Sequence, residues 1–210
     1  GNDTVVKKHL GREDIYVHAD LHGAPSCSIR IAEGFQSDPA PNPTLPEHVP
    51  SLRLTQSPDF GSPNEVILEE AAQMAVCWSR AWGGGGGAAT AYHVGSNQVS
   101  KTAETGESLG RGAFVIRGQR NWHRNMSTEI SLGVVAINGI PLPLVGTPAA
   151  IESVCERWIR LQPGTMKKEN IANQIAKATG LLQDDILGCL PPGNLQIVED
   201  RQLIVVNKES

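Results

Sequence analysis

Paired cysteines are the first thing this chain lacks. Its four, Cys27, Cys77, Cys155 and Cys189, lie far apart in apolar stretches, and no C-x-x-C pair occurs. A zinc knuckle needs such pairs, because short turns must bring several ligands to one ion. The cysteines therefore read as buried free thiols in a reducing compartment. Also missing is any apolar run near the ~18 residues of a membrane helix, and any signal-peptide pattern. The expectation is a cytoplasmic protein with no membrane partner. Aromatic residues are few, at 4%, and an overall basic charge is absent: the net charge is −4. A nucleic-acid binder of this charge must concentrate its basic residues locally. Gly and Pro are plentiful but clustered, which fits a globular chain of 210 residues with one or two loose loops.

What is present begins with Asp14-Ile15-Tyr16-Val17-His18-Ala19-Asp20-Leu21-His22-Gly23-Ala24-Pro25-Ser26. Ile15, Tyr16 and Val17 are strand formers. While the chain stays extended its side chains alternate, which predicts His18, Asp20 and His22 on one face. Gly23 and Pro25 end the strand and leave His22 at a turn. Two readings of this trio stand. Imidazole and carboxylate suit zinc or a similar ion that activates water, which makes a metal-dependent hydrolase the alternative function. The other reading is a hydrogen-bonded strand end, with Asp20 fixing the imidazoles. No second cluster of His, Cys or Glu at ligand spacing accompanies the trio. The second reading leads, so no metal, cofactor or catalytic residue is expected.

Asn2 to Leu10 has helical spacing, with Gly11 as its stop; the abrupt start suggests further sequence upstream. A second strand is predicted over Cys27 to Ala32. Seven prolines between Gln36 and Pro63 predict a poorly ordered insertion without regular elements. Pro63-Asn64-Glu65 opens the clearest helix, through about Trp82, with Ile67, Ala71, Met74, Ala75, Trp78 and Trp82 as its apolar stripe. Gly83 to Gly87 lacks the Lys-Ser/Thr of a P-loop and leads into a strand, Ala88 to Val94. Further strands are predicted at Phe114 to Ile116, Thr128 to Ile137 and, after the Asn138-Gly139 turn, Ile140 to Val145. Thr147-Pro148 caps a helix through about Trp158. Ile159 to Leu161 reads as a short strand, Lys167 to Thr179 and Leu182 to Leu190 as helices. Leu195 to Val198 and Leu203 to Val206 read as a hairpin. The fold class is α+β: a mostly antiparallel β-sheet with a long packed helix, plus a small α+β C-terminal appendage. The domains expected are 1-145, containing the Pro-rich insertion 36-63, and 146-210.

Between Glu107 and Glu129 there is no acid, but Arg111, Arg117, Arg120 and Arg124 all occur. Four positive charges in a net-negative chain are its strongest partner signal. Arginine forks pair bidentately with phosphate, and Trp122 or His123 can stack on a base. Competing readings are a solvated arginine face, or a patch that meets an acidic protein.

Four motifs together resemble one family. The first is Asp14 through Ala24, and the second pairs Glu70-Ala71-Ala72-Gln73-Met74-Ala75 with Ser79-Arg80-Ala81-Trp82. The third is Gln98-Val99-Ser100-Lys101-Thr102-Ala103 with Thr105-Gly106-Glu107, and the fourth is Gly112-Ala113-Phe114-Val115-Ile116-Arg117-Gly118-Gln119-Arg120-Asn121. Their order is similar to that of the RNA-binding domain of NFACT proteins, over roughly residues 2 to 137. The tail, with Val145-Gly146-Thr147-Pro148, Gln162-Pro163-Gly164 and Leu190-Pro191-Pro192-Gly193, looks like the extension of archaeal members. The Pro-rich insertion and the five-glycine loop depart from the family pattern.

The resemblance implies a non-enzymatic RNA-binding module of a ribosome-associated quality-control protein. Its partners would be tRNA or rRNA on a large ribosomal subunit that holds a stalled peptidyl-tRNA. Several members recruit charged tRNA to extend the stalled chain, and the part that does so is expected upstream of this segment. On this footing Lys101, Arg111, Arg117, Arg120 and Arg124 are expected to contact phosphates. His18, Asp20, His22, Ser100, Thr102, Thr105 and Asn121 are expected to shape the RNA-binding site.

Overall fold

The computed structural model describes residues 2–30, 33–38, 44–56, 63–100, 102 and 114–205. One helical turn, α1 (Asn2–Thr4), widens into a π-turn over Val5–His9. Then come β1 (Ile15–Ala19), β2 (Ser26–Ile29), β3 (Glu33–Ser37), β4 (Ser51–Gln56) and α2 (Glu65–Cys77). β5 (Ala88–Gly95) precedes the short pair β6 (Val99–Ser100) and β7 (Val115–Ile116), and β8 (Asn121–Ser127) follows. The chain continues through β9 (Ile130–Ile137), β10 (Ile140–Gly146), α3 (Pro148–Val154) and β11 (Trp158–Met166). It closes with α4 (Lys168–Thr179), α5 (Gln183–Cys189) and β12 (Leu195–Arg201). The class is α+β with mostly antiparallel sheets, as the sequence implies. No described helix is long and apolar enough to cross a membrane.

Contacts divide the chain into two units. The first comprises Gly1–Glu33, Ser57–Ala81 and Ala88–Ser127; the second comprises Gly34–Gln56, Trp82–Gly87 and Thr128–Ser210.

In the first unit an antiparallel sheet has the order β2-β1-β5-β8. Strand alternation gives this sheet two different faces. Val17, Ala19 and Ala91 meet Ala72, Ala75 and Val76 of α2, and all six are fully buried. Small side chains on both sides let the helix approach the sheet closely. This differs from the expected stripe: Ile67 is 43% exposed, and the alanines carry the contact. Asn64 starts the helix, its side chain accepting from the Ile67 N–H at 3.0 Å. Ser79 ends it early, donating to the Val76 carbonyl and accepting from the Ala81 N–H. Trp82, expected on the same helix, belongs to the second unit, where its indole N–H donates to the Asn194 carbonyl.

In the second unit the sheet runs β12-β11-β9-β4-β3, with β10 paired to β9. Asn138 (φ 53°) and Gly139 (φ 78°) form the two-residue turn between β9 and β10, where both positions need positive φ. The Pro-rich stretch is not devoid of regular structure. Ser51–Gln56 contains no proline, Leu52 is buried, and the strand pairs parallel to β9 at Ser51↔Ala136 and Leu52↔Ile137. The prolines flank these strands instead of interrupting them; residues 39–43 and 57–62 lie outside the description. The expected terminal hairpin is replaced by a single strand, β12, paired to β11. The Asp200 carboxylate stops it by accepting the backbone N–H groups of Leu203, Ile204 and Val205. All four cysteines are free, and burial pushes the Cys27 and Cys155 thiols up to about 11.

A Cβ on Gly133, in the middle of buried β9, would sit 2.5 Å from the Cys155 sulfur and 2.7 Å from its Cβ. Gly133→Ala is therefore expected to destabilise the protein by about 1–3 kcal/mol in urea unfolding. An unchanged midpoint would contradict that close approach.

Candidate nucleic-acid interface

Register builds this site. His18 pairs with Ser26 on β2 and with Tyr92 on β5, and Tyr92 pairs with Trp122 on β8. Directly paired residues project to the same face, so Ser26, His18, Tyr92 and Trp122 form one row across all four strands. This face is opposite the one covered by α2. Tyr16, two residues before His18, stacks on it with ring centroids 6.0 Å apart and planes 9° apart. The His18 and Tyr92 rings are 5.9 Å apart, and Trp122 meets Tyr92 edge-on at 5.5 Å. An aromatic-poor chain thus commits both its tyrosines and one of its four tryptophans to a single face.

Arginines complete the row. The Arg120 guanidinium lies 5.1 Å from the Tyr92 ring centroid and 5.9 Å from that of Trp122. Arg124 lies 5.9 Å from the Trp122 centroid, so two cations flank one indole. Trp122 is 41% exposed, while Tyr16 and Tyr92 are buried beneath their neighbours.

Beside the row is a cleft of about 470 Å³, lined by Tyr16, His18, His22, Ser26, Tyr92 and Phe114 among others. Its inner polar groups are paired with one another. The Tyr16 hydroxyl is 2.8 Å from Ser26 Oγ, and burial pushes the phenol up to about 12. The Asn2 amide donates to the Ala24 carbonyl and accepts from the Ser26 N–H. His18 Nε2 lies 3.1 Å from the Ala24 carbonyl, which can only accept, so that nitrogen carries the proton. Burial lowers the His18 pKa below its ordinary 6.5, leaving the ring neutral at pH 7. Burial raises that of Tyr92, against the pull of Arg120.

His18, Asp20 and His22 lie at the end of β1, and the Asp20 carboxylate is near enough to act electrostatically on His18 and on Tyr92. His18 and His22 both line the cleft, but β1 ends at Ala19 and the Asp20 N–H donates to the Thr90 carbonyl. Tight turns through Leu21 and Ala24 follow. Among the described residues, no three His, Cys, Asp or Glu side chains are placed to hold a metal ion.

The basic segment is brought together in part. The Gln98 amide donates to the Arg117 and Gln119 carbonyls, which fixes the turn leading to Arg120. Ser100 Oγ closes a local turn with Thr102, donating to its carbonyl and accepting from its N–H. The Asn121 amide is directed at the His93 carbonyl, 3.4 Å away. Lys101, Thr105 and Arg111 lie outside the described residues. His123 does not stack on anything outside the sheet. It faces the other way and is buried, with Nε2 2.7 Å from His93 Nδ1. Sequence reasoning missed Tyr92 and the stacking role of Tyr16. The alternation of Ala91, Tyr92 and His93 shows that Tyr92 faces away from Ala91, but only strand pairing places it between His18 and Trp122.

Because the folded pKa of His18 is depressed, the stability it contributes is full above its unfolded value of 6.5 and declines as pH falls below that. An NMR titration of its ring is expected to show a midpoint below 6.5; a midpoint at or above 6.5 would contradict the buried, Ala24-bonded ring.

Comparison with known proteins agrees with the motif order. The family model for the NFACT protein RNA binding domain matches residues 1–118. The archaeal Rqc2 homolog aRqcH of Methanocaldococcus jannaschii is 35% identical over 201 residues, which covers 94% of this chain and 26% of that protein. Ribosome quality control complex subunit NEMF of Homo sapiens is 42% identical over 121 residues, 58% of this chain and 9% of NEMF. The chain thus spans only a minor part of either relative. The solved C-terminal part of the fibronectin/fibrinogen-binding protein from Streptococcus suis aligns over 60% of this chain and 37% of its own, at 17% identity and a TM-score of 0.34. With the family model covering more than half its length and the archaeal relative aligned along nearly all of it, the chain belongs to the NFACT family and carries that family's RNA-binding domain.

Proposed function

We propose that this chain is the non-enzymatic RNA-binding module of a ribosome-associated quality-control protein, and that it contacts tRNA or rRNA on a large ribosomal subunit holding a stalled peptidyl-tRNA. The observation that carries this reading is the exposed indole of Trp122 between Arg120 and Arg124. A planar ring flanked by guanidiniums complements a nucleotide: the base stacks on the ring and the phosphate takes the arginine forks. The relative NEMF points the same way, since its name makes it a subunit of a ribosome quality control complex.

On this reading Arg117, Lys101 and Arg111 extend the phosphate track, and Ser100, Thr102 and Thr105 border it. His18, Asp20 and His22 shape the cleft end. Base faces and 2′-hydroxyls decide the preference, so folded or single-stranded RNA is favoured over duplex DNA. In a chain of net charge −4, attraction to phosphate comes from this local set of arginines and not from the protein as a whole.

Binding of deacylated tRNA is expected to weaken steeply with salt, as neutralised phosphates release counterions. Arg120→Ala combined with Arg124→Ala is expected to reduce the log–log salt slope by about 2 and to weaken all RNAs similarly. Duplex DNA of equal length is expected to bind less well than tRNA. A double variant with unchanged affinity and slope would place the RNA contacts elsewhere.

A further inference from the structure

We infer that the cleft beside the aromatic row takes the base of one extruded nucleotide, and that the Arg120 guanidinium at Tyr92 takes the phosphate of that nucleotide. This rests on the RNA-binding reading above and deepens it. It adds a second binding element at the β2–β1–β5 end of the sheet, apart from the indole on β8. The cleft is built within the first unit, to which Tyr16, His18, Ser26, Tyr92, Phe114 and Ile116 all belong. Its volume of about 470 Å³ falls within the roughly 300–1,000 Å³ of small-molecule sites. Its lining is also of their kind, aromatic and apolar side chains with a few polar groups among them.

Charge decides which part of a nucleotide enters. Tyr16, His18 and Tyr92 are neutral at pH 7, because burial raises both phenols and lowers the imidazole. The Asp20 carboxylate acts on His18 and on Tyr92, so a phosphate laid against those two rings would meet a like charge. A base is planar and uncharged, and it suits such walls. The phosphate is then left for Arg120, whose guanidinium lies 5.1 Å from the centroid of the Tyr92 ring, itself a wall of the cleft. One ring thus joins an aromatic cleft to a cation, as a nucleotide joins its base to a phosphate. A base stacked within a duplex cannot enter, so the nucleotide must be unpaired or flipped out.

The test follows the whole 210-residue chain by NMR in titrations with three probes. These are AMP, adenosine, which lacks the phosphate, and ribose 5-phosphate, which lacks the base. AMP is expected to bind with a Kd on the order of 1 mM and to shift the backbone amides of Ala24 and Ser26. Adenosine and ribose 5-phosphate are each expected to bind about three- to tenfold more weakly than AMP. Phe114→Ala should weaken AMP and adenosine more than ribose 5-phosphate, by about threefold or more. Phe114→Leu, which keeps apolar volume but not the ring, gives the same comparison should the alanine variant unfold. Arg120→Ala should show the reverse order, weakening AMP and ribose 5-phosphate more than adenosine. AMP binding no tighter than ribose 5-phosphate, or AMP shifts confined to the Trp122 indole, would overturn the proposal. So would equal losses for all three probes in the folded variants. Binding of tRNA without any AMP shift up to about 10 mM would overturn it while leaving the RNA-binding module intact. Failure to bind tRNA as well would overturn both.

Discussion

The candidate interface depends on the register between β1, β5 and β8. A strand has a side-chain period of two, so a slip of one residue would turn Tyr92 or Trp122 to the opposite face. The register is held from the side that RNA would not touch. Val17, Ala19 and Ala91 are fully buried against Ala72, Ala75 and Val76 of α2, and a slip would bring His18, Tyr92 or their neighbours under the helix instead. Those small side chains leave no room for an imidazole or a phenol. The helix therefore positions the aromatic row without contacting it, through the alternation of the strands between them.

Charge is distributed by the same device. On the outward face His18 is neutral at pH 7 and Tyr16 stays protonated to about 12, so the row itself carries no charge. The charge beside it is that of Arg120 and Arg124, each held against an aromatic ring. On the inward side His93 and His123 meet each other, and the apolar cluster is buried against α2. One small sheet thus separates what holds the unit together from what is offered to a partner.

Locally encoded features were legible in the sequence. Asn64 capping α2, Asn138-Gly139 turning β9 into β10, and Thr147-Pro148 opening α3 are set by residues within a few positions of one another. The arginine run was visible as charge alone, and the strand from Ile15 as composition. Features that rest on distant partners were not legible. Ser51–Gln56 becomes a strand because β9, some eighty residues later, supplies its partner. Tyr92 joins the site only through pairing with His18 and Trp122.

The most direct test of this account follows the indole N–H signals of the four tryptophans, Trp78, Trp82, Trp122 and Trp158, in an NMR titration with tRNA. If RNA docks on the row that register builds, the Trp122 signal shifts or broadens early and strongly. The Trp82 signal, from a fully buried ring whose N–H is held by the Asn194 carbonyl, stays where it is. A bound state in which Trp122 is unmoved while another indole responds would contradict the account.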